Sequence, residues 1–126
     1  MSKVLIVGGG HAGANTAFTL RKDGFDGDIT IISDEDYLPY HRPPLSKDFL
    51  KQNVAIEKLS FKSSDFYNEQ NVSLNLNTRI DFIDLESNYA KAKDASFDFD
   101  YLVFATGASP RLLPMENADA KNLFYL

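Results

Sequence analysis

The sequence predicts an α/β fold in which a parallel sheet is accompanied by a small antiparallel β-meander. A strand, a glycine loop, a helix and a second strand occupy the first 32 residues, and another apolar strand pattern recurs at 101–105. Between them, short segments alternate polar and apolar residues, as half-buried strands do. A strand, a helix and a strand within about 30 residues form a βαβ unit with parallel strands and a right-handed crossover.

The βαβ unit is predicted from three consecutive segments. Residues 3–7, Lys-Val-Leu-Ile-Val, form a short β-branched run bounded by glycine, which is typical of a strand buried on both faces. Residues 11–23 are predicted to form a helix, whose small residues Ala14 and Ala17 permit close packing. Residues 29–32, Ile-Thr-Ile-Ile, form the second buried strand, and an acidic run follows it.

The remaining elements follow a proline-marked loop at 37–44. Ser46 is predicted to open a short helix that ends at Leu50. Length and periodicity assign the later segments: a helix over 61–70, a strand over 72–76, a meander over 79–85, 88–93 and 95–99, and a buried strand over 101–105. The 126 residues suffice for one domain, since domains run to roughly 100–200 residues.

Composition excludes several classes of function for this segment. Thirteen Lys and Arg against eighteen Asp and Glu give a net charge of −5, which disfavours nucleic-acid binding because a basic face is needed to neutralise phosphates. Cysteine is absent, so disulfides, thiolate zinc sites, cysteine-ligated iron–sulfur clusters and redox dithiols are excluded. His11 and His41 lie 30 residues apart without a helical ligand spacing, so no metal site is predicted.

The sequence predicts a soluble, cytoplasmic protein. No stretch approaches the ~18–20 unbroken apolar residues of a transmembrane helix. The first apolar run, 4–7, ends in glycines and lacks the small-residue cleavage site of a signal peptide. Residues 123–126 are apolar, whereas natural chain ends are usually solvated, so the segment is expected to belong to a longer protein.

A glycine-rich motif lies between the first strand and the first helix. Residues 8–13, Gly-Gly-Gly-His-Ala-Gly, match G-x-G-x-x-G. In a Rossmann-like βαβ unit Gly8 allows the tight turn, Gly10 lets a pyrophosphate approach the backbone, and Gly13 lets the helix pack on the strand. Free N–H groups and the helix dipole then hold the anion. The motif indicates dinucleotide binding, with a plain glycine turn as the alternative, and His11 is expected to contribute only its backbone.

An acidic residue after the second strand is expected to accept hydrogen bonds from the adenosine ribose. Asp34 lies 21 residues beyond Gly13, and Glu35 follows it. We favour Asp34, and Glu35 remains an alternative because strand ends are assigned only to within a few residues. A solvated acidic turn is the interpretation without function, and it suits Asp36.

The next segments resemble a known family. Residues 39–47, Pro-Tyr-His-Arg-Pro-Pro-Leu-Ser-Lys, resemble the hallmark loop of the flavin-dependent ferredoxin reductases, which include putidaredoxin, rubredoxin and dioxygenase ferredoxin reductases of the pyridine nucleotide-disulfide oxidoreductase superfamily. His41 stands where that family often has an acidic residue. Residues 99–111 resemble the family strand that leads into A-T-G-x-x-P-R, and residues 66–80 are also similar. The resemblance covers essentially the whole chain.

The resemblance implies an FAD site and assigns its adenylate side. Gly10, Ala12 and Gly13 correspond to the pyrophosphate loop, and Asp34 corresponds to the ribose-binding residue. Arg42 resembles a cation on the cofactor side that faces the pyrophosphate.

The flavin side is assigned in the same way. Lys47 is similar to a lysine beside the isoalloxazine ring, where its ammonium would stabilise the negative charge of reduced flavin. On the adenylate side, Ile80 resembles the residue whose backbone meets the adenine. Ala105, Thr106 and Gly107 are implied to line the flavin side of the cleft at the end of a central strand.

The resemblance implies that residues 1–126 are the N-terminal part of a discontinuous FAD-binding domain, without the NAD(P)-binding and C-terminal interface domains. The full-length protein is expected to pass electrons from NAD(P)H through FAD to a ferredoxin- or rubredoxin-like protein, and the segment alone is expected to be inactive. Two alternatives remain. One is a stand-alone, non-catalytic FAD- or nucleotide-binding module, and the other is an apoptosis-inducing-factor-like or nitrite-reductase-like flavoprotein.

Overall fold

The computed structural model describes residues 1–117 and 120–125. Seven strands are present in this part of the chain: β1 (Lys3–Val7), β2 (Asp28–Ile32), β3 (Val72–Asn75), β4 (Ile80–Asp84), β5 (Tyr89–Ala92), β6 (Ser96–Asp98) and β7 (Tyr101–Phe104). Two α-helices accompany them, α1 (His11–Lys22) and α2 (Ser64–Glu69). The apolar run at 123–126 ends at residue 126, which lies outside the described residues.

The strands form two sheets. The first has the order β3-β2-β1-β7, and its neighbouring strands all pair in parallel. The second is an antiparallel sheet with the order β4-β5-β6. This arrangement confirms the predicted α/β class with its parallel βαβ unit and its small antiparallel meander.

The central strands β1 and β2 of the parallel sheet are largely buried on both faces, which explains why they are mostly apolar. Val4 and Ile6 of β1 pack with Ala17 of α1 and Tyr67 of α2 on one face. Leu5, between them in sequence, points to the other face and packs with residues of the meander and its surroundings. Alternate side chains of a strand point to opposite faces, so β1 joins a helical layer to the antiparallel sheet.

Tyr67 is the largest side chain that the helical layer buries completely. Its hydroxyl has no hydrogen-bond partner among the described residues. Burial raises the pKa of this phenol to about 12, because a phenolate is poorly solvated away from water. Phe18 and Phe66 contact the ring of Tyr67 with centroid separations of 5.5 and 6.4 Å. The hydroxyl is therefore buried within an aromatic cluster.

The predicted helix from Ser46 to Leu50 is wrong. The structure has a single 3₁₀ turn at Pro43–Ser46, followed by irregular turns. Pro43 and Pro44 suit the start of such a turn because they have no N–H to satisfy. The turn ends at Lys47, whose φ of −129° and ψ of −109° are not helical.

The helix predicted over 61–70 begins later, at Ser64. The hydroxyl oxygen of Ser63 accepts a hydrogen bond from the Phe66 N–H at 3.3 Å, which caps the helix and fixes its start. None of the helices in the described ranges 1–117 and 120–125 is long and apolar enough to cross a membrane.

Candidate functional site

A cleft of about 950 Å³ opens at the carboxyl ends of β1, β2 and β7. The chain leaves β1 towards β2 and β3 on one side and later returns to the other side as β7. Ligands of open α/β sheets bind at such a reversal of strand order, because the loops diverge there and leave a crevice. The cleft therefore lies where the topology predicts a ligand site.

The glycine loop between β1 and α1 forms one wall of this cleft. Gly8 has a φ of +123°, which side-chain-bearing residues rarely adopt, and a Cβ there would overlap the Ala105 carbonyl. A Cβ at Gly13 would overlap the Gly8 carbonyl oxygen, so α1 packs directly on the loop. Both glycines let backbone segments approach each other at van der Waals distance.

The N-terminus of α1 points its N–H groups towards the cleft. Gly10 is the N-cap residue, and none of the described side chains caps the helix there. The first-turn N–H groups of an α-helix have no acceptor within the helix and carry the positive end of its dipole. Gly10, His11 and Ala12 line the cleft, so an anion at this wall would meet unpaired backbone donors.

The two carboxylates that follow β2 have different environments. Asp34 is largely exposed and forms an ion pair of 3.6 Å with Arg79, which is also exposed. Glu35 is partly buried, and it accepts a hydrogen bond of 2.6 Å from the Tyr40 hydroxyl and another from Arg42. Asp34 therefore keeps acceptor capacity towards the cleft, whereas both oxygens of Glu35 bind protein groups.

Arg42 faces the glycine loop from the opposite wall. Its Nε and Nη2 lie 3.7 Å from the position that a Cβ on Gly10 would occupy. Its guanidinium also donates to the Tyr40 hydroxyl at 3.0 Å and lies 4.8 Å from the centroid of the Tyr40 ring. A permanent cation thus stands across the loop from the α1 N-terminus, so an anion between them would be attracted by both.

The charges of this network stabilise one another. The hydrogen bond to Glu35 raises the pKa of Arg42, although partial burial opposes this. Partial burial raises the pKa of Glu35, but hydrogen bonds from Tyr40 and Arg42 and the Arg42 charge outweigh it, so this pKa lies below its ordinary value. Burial and the hydrogen bond to Glu35 raise the pKa of Tyr40. At neutral pH, Glu35 and Arg42 are therefore charged and Tyr40 is a neutral donor.

The segment after β7 closes the far end of the cleft. The Ala105 N–H donates to the Val7 carbonyl at 2.8 Å, which continues the parallel pairing beyond the strand. Thr106 and Gly107 follow, and Gly107 has a φ of +69°. These residues line the cleft together with the exposed ring of Phe104.

Most of the residues proposed from the sequence line this cleft: Gly8, Gly10, His11, Ala12, Asp34, Glu35, Arg42, Ile80, Ala105, Thr106 and Gly107. Two do not. Gly13 lies behind the loop, where it supports the packing of α1 against Gly8. The exposed Lys47 side chain donates to the Pro43 carbonyl at 3.3 Å, outside the cleft lining.

Further lining residues were not proposed from the sequence: Gly9, Ser33, Thr78, Arg79, Phe104, Ala108 and Ser109. Arg79 and Thr78 reach the cleft because their segment is tied to the end of β2. The Thr78 N–H donates to the Ser33 carbonyl at 2.8 Å, and the Asn77 N–H donates to the Glu35 carbonyl at 3.0 Å. Asn77 has a φ of +49°. An asparagine turn before β4 was therefore the sequence signal that could have indicated where Thr78 and Arg79 lie.

The His11 ring makes contacts that the sequence did not predict. It packs edge-on against His41 and Phe61, with centroid separations of 5.6 and 4.6 Å, and His41 and Phe61 also meet at 4.3 Å. The three rings join the start of α1 to the loop that carries Arg42.

Comparison with known proteins agrees with this geometry. The sequence profile of the pyridine nucleotide-disulphide oxidoreductase family matches residues 2–126. The chain is 42% identical over 124 residues to a rubredoxin-NAD(+) reductase of Pseudomonas putida, covering 98% of this chain and 32% of that protein. It is 39% identical to the ferredoxin–NAD(+) reductase component of the p-cumate 2,3-dioxygenase system of the same organism, covering 100% and 31%.

Solved structures give the same result. In the covalent putidaredoxin reductase–putidaredoxin complex, the matching chain is 38% identical with a TM-score of 0.86, over 90% of this chain and 27% of that one. The ferredoxin reductase for the CYP199A2 system of Rhodopseudomonas palustris is 38% identical with a TM-score of 0.89, over 94% and 30%. The chain thus spans roughly a third of the length of these relatives. Its resemblance to ferredoxin reductases is confirmed, and it belongs to the pyridine nucleotide-disulphide oxidoreductase family.

Proposed function

We propose that residues 1–126 are the N-terminal part of a discontinuous FAD-binding domain in an NAD(P)H-dependent reductase of a small redox protein. The observation that carries the proposal is the pairing of the uncapped α1 N-terminus with Arg42 across one cleft. A dinucleotide diphosphate needs such a site, because its two negative charges must be met by backbone donors and a cation. The names of the relatives supply the class of reaction.

The residues present fit the adenylate half of FAD. The N–H groups around Gly10 and Ala12 and the guanidinium of Arg42 are proposed to hold the diphosphate. Asp34 is proposed to accept the ribose hydroxyls, because its carboxylate is exposed to the cleft while Glu35 is engaged by Tyr40 and Arg42. Ile80, at the start of β4, is proposed to meet the adenine through its backbone.

The residues after β7 fit the flavin half. Three residues are proposed to line that end of the cleft and to keep the flavin close to the edge of the sheet: Ala105, Thr106 and Gly107. Lys47 is proposed to stand beside the isoalloxazine ring, which requires its ammonium to leave the Pro43 carbonyl. When bound, FAD would accept a hydride from NAD(P)H and release electrons singly. The role of Lys47 would be electrostatic, since a fixed positive charge favours a reduced, anionic ring.

The electron acceptor is proposed to be a ferredoxin- or rubredoxin-like protein. The relatives are named for reducing rubredoxin, a dioxygenase ferredoxin and putidaredoxin. We also propose the cytoplasm as the location, where NAD(P)H is available to such an enzyme. The NAD(P)-binding and interface domains would be supplied by the rest of a longer protein, and this chain alone would be inactive.

The test is to purify the full-length protein and to record its visible spectrum and its turnover. The proposal predicts a bound flavin spectrum that NADH or NADPH bleaches under anaerobic conditions. It also predicts nicotinamide-dependent reduction of a rubredoxin or a [2Fe–2S] ferredoxin. A protein that binds FAD but transfers no electrons to either acceptor would instead be the non-catalytic module, and a protein without affinity for FAD would refute the proposal entirely.

A further inference from the structure

The side chains of Glu35, Tyr40 and Arg42 form a closed triangle of contacts. Tyr40 donates to one oxygen of Glu35 at 2.6 Å, and Arg42 donates to the other. Arg42 also donates to the Tyr40 hydroxyl at 3.0 Å and lies 4.8 Å from the centroid of its ring. Every polar group of the triangle therefore contacts both of the others.

Two corners of this triangle are fixed by the backbone around them. Glu35 follows β2, and its carbonyl accepts a hydrogen bond from the Asn77 N–H at 3.0 Å. Tyr40 forms an antiparallel bridge with Ser60, flanked by the His41 N–H donating to the Leu59 carbonyl at 2.8 Å. Arg42, by contrast, lies on an irregular loop, and its side chain is about half exposed.

An arginine in that setting needs partners to hold one conformation. Its side chain has many rotamers, and ordering them opposes binding of any ligand. Glu35 binds Nη2, one of the two guanidinium nitrogens that face Gly10, and Tyr40 binds Nη1, the nitrogen that does not. Contacts to two different nitrogens fix the direction of the planar guanidinium, and both partners are anchored.

We infer that Glu35 and Tyr40 are positioning residues, which hold the Arg42 guanidinium against the glycine loop where the diphosphate of the cofactor would lie. This inference rests on the proposed function. It reassigns Glu35 from the alternative ribose acceptor to the partner of Arg42. It also gives the Tyr40 hydroxyl a role in ligand affinity, although that hydroxyl points at Glu35 and not into the cleft.

A simple charge argument makes the opposite prediction for Glu35. A carboxylate next to Arg42 lowers the positive potential at the cleft, so its neutralisation would strengthen the attraction for a diphosphate. If Glu35 positions Arg42, however, Glu35→Gln weakens binding even though the cleft becomes more positive. The sign of the change in FAD affinity therefore separates positioning from charge competition.

The experiment is a double-mutant cycle on FAD affinity in the full-length protein, stripped of flavin and titrated at constant ionic strength. Tyr40→Phe should raise the dissociation constant by about fivefold, the factor that corresponds to the contribution of one ordinary hydrogen bond. In an Arg42→Ala background the same change should have less than about a twofold effect, since it acts only through Arg42. Tyr37→Phe, which removes the hydroxyl of an exposed tyrosine, is the matched control and should leave affinity unchanged.

Each outcome decides between the possibilities. Equal effects of Tyr40→Phe in both backgrounds, no effect in the wild-type background, or tighter FAD binding by Glu35→Gln would overturn the inference. A wild-type protein that binds no FAD would instead refute the proposed function. If Tyr40→Phe fails to fold, Glu35→Gln carries the same cycle, and thermal unfolding of the flavin-free variants separates lost affinity from lost structure.

Discussion

The two walls of the cleft are built in different ways. The glycine loop at residues 8–13 is held by backbone packing, because a Cβ at Gly8 or Gly13 would overlap a neighbouring carbonyl. On the opposite wall, the guanidinium of Arg42 is held by side chains, through its contacts with Glu35 and Tyr40. The first wall offers N–H donors whose positions follow from the fold, whereas the second offers a cation whose position follows from three side chains.

This difference teaches where each kind of substitution acts. Backbone packing leaves no room for one added methyl group, and a failure there spreads through β1 and α1 to the core. A partly exposed side-chain network contributes little to global stability but controls the geometry of one guanidinium. Changes at Gly8 or Gly13 should therefore act mainly on folding, and changes in the triangle should act mainly on binding.

The largest expected effect comes from Gly13→Ala. The added Cβ would meet the Gly8 carbonyl oxygen, so α1 would have to move away from β1. We expect a loss of about 3 kcal/mol in the free energy of unfolding, measured by urea denaturation. Gly24→Ala is the matched control: its φ of +86° is unfavourable for alanine, but the space around it is open within the described structure, so about 1 kcal/mol is expected. Equal losses in both variants would contradict the role of close packing.

Gly10→Ala separates folding from binding within one loop. The nearest atoms to its added Cβ are those of the Arg42 guanidinium at 3.7 Å, an ordinary contact. The free energy of unfolding should therefore change by less than about 0.5 kcal/mol. The methyl group would occupy the space between the loop and Arg42, so FAD affinity should fall by at least about tenfold. Unchanged FAD affinity would show that the diphosphate does not lie at Gly10.

Lys47 and Asp34 test the two ends of the proposed cofactor site in the full-length protein. Lys47→Met should lower the two-electron midpoint potential of the flavin by about 20–40 mV, because a screened cation near the ring is lost. FAD affinity should change little. Asp34→Ala should weaken FAD binding by about tenfold and leave the potential of the remaining flavin unchanged. The check is a spectroscopic redox titration, and an unchanged potential in Lys47→Met would return Lys47 to the role of a solvated loop residue.

The smallest expected effect is the pH dependence of the triangle. The pKa of Glu35 in the folded state lies below its ordinary value of 4.5. A depressed carboxyl pKa contributes stability that is present above the unfolded-state pKa and is lost as the pH falls through the folded-state pKa. The difference in unfolding free energy between wild type and Glu35→Gln should be at most about 1 kcal/mol. It should stay constant above about pH 5 and shrink below that; a difference that grows on acidification would contradict the ion pair.

The sequence predicted the wall of the cleft that the backbone of the glycine loop at residues 8–13 forms. The apolar runs, the glycine spacing and the acidic residue after β2 are local signals, and the strands formed within one or two residues of their expected bounds. The proline pair was interpreted as the approach to a helix from Ser46, yet Lys47 leaves helical geometry at once. Propensity could not show this, because the loop is fixed by its bridge to Ser60 and its contact with Leu59.

The wall that depends on side chains was only partly predictable. Arg42 was proposed as a cofactor-side cation, but its partners could not be known, since Glu35 and Tyr40 meet it only through the tertiary fold. Arg79 was missed for the same reason, because its pairing with Asp34 depends on how the segment before β4 docks on the end of β2. Contacts between loops that are distant in sequence leave no periodic signal.

Calorimetric titration of the flavin-free full-length protein with FAD and with FMN tests the central claim most directly. In the proposed site the diphosphate would lie at Gly10 and Arg42 and the ribose at Asp34, and FMN lacks the adenylate that these residues would bind. We predict that FAD binds at least about 100-fold more tightly than FMN, which corresponds to about 2.7 kcal/mol. Equal affinities for the two flavins, or no binding of FAD, would contradict the assignment of this cleft.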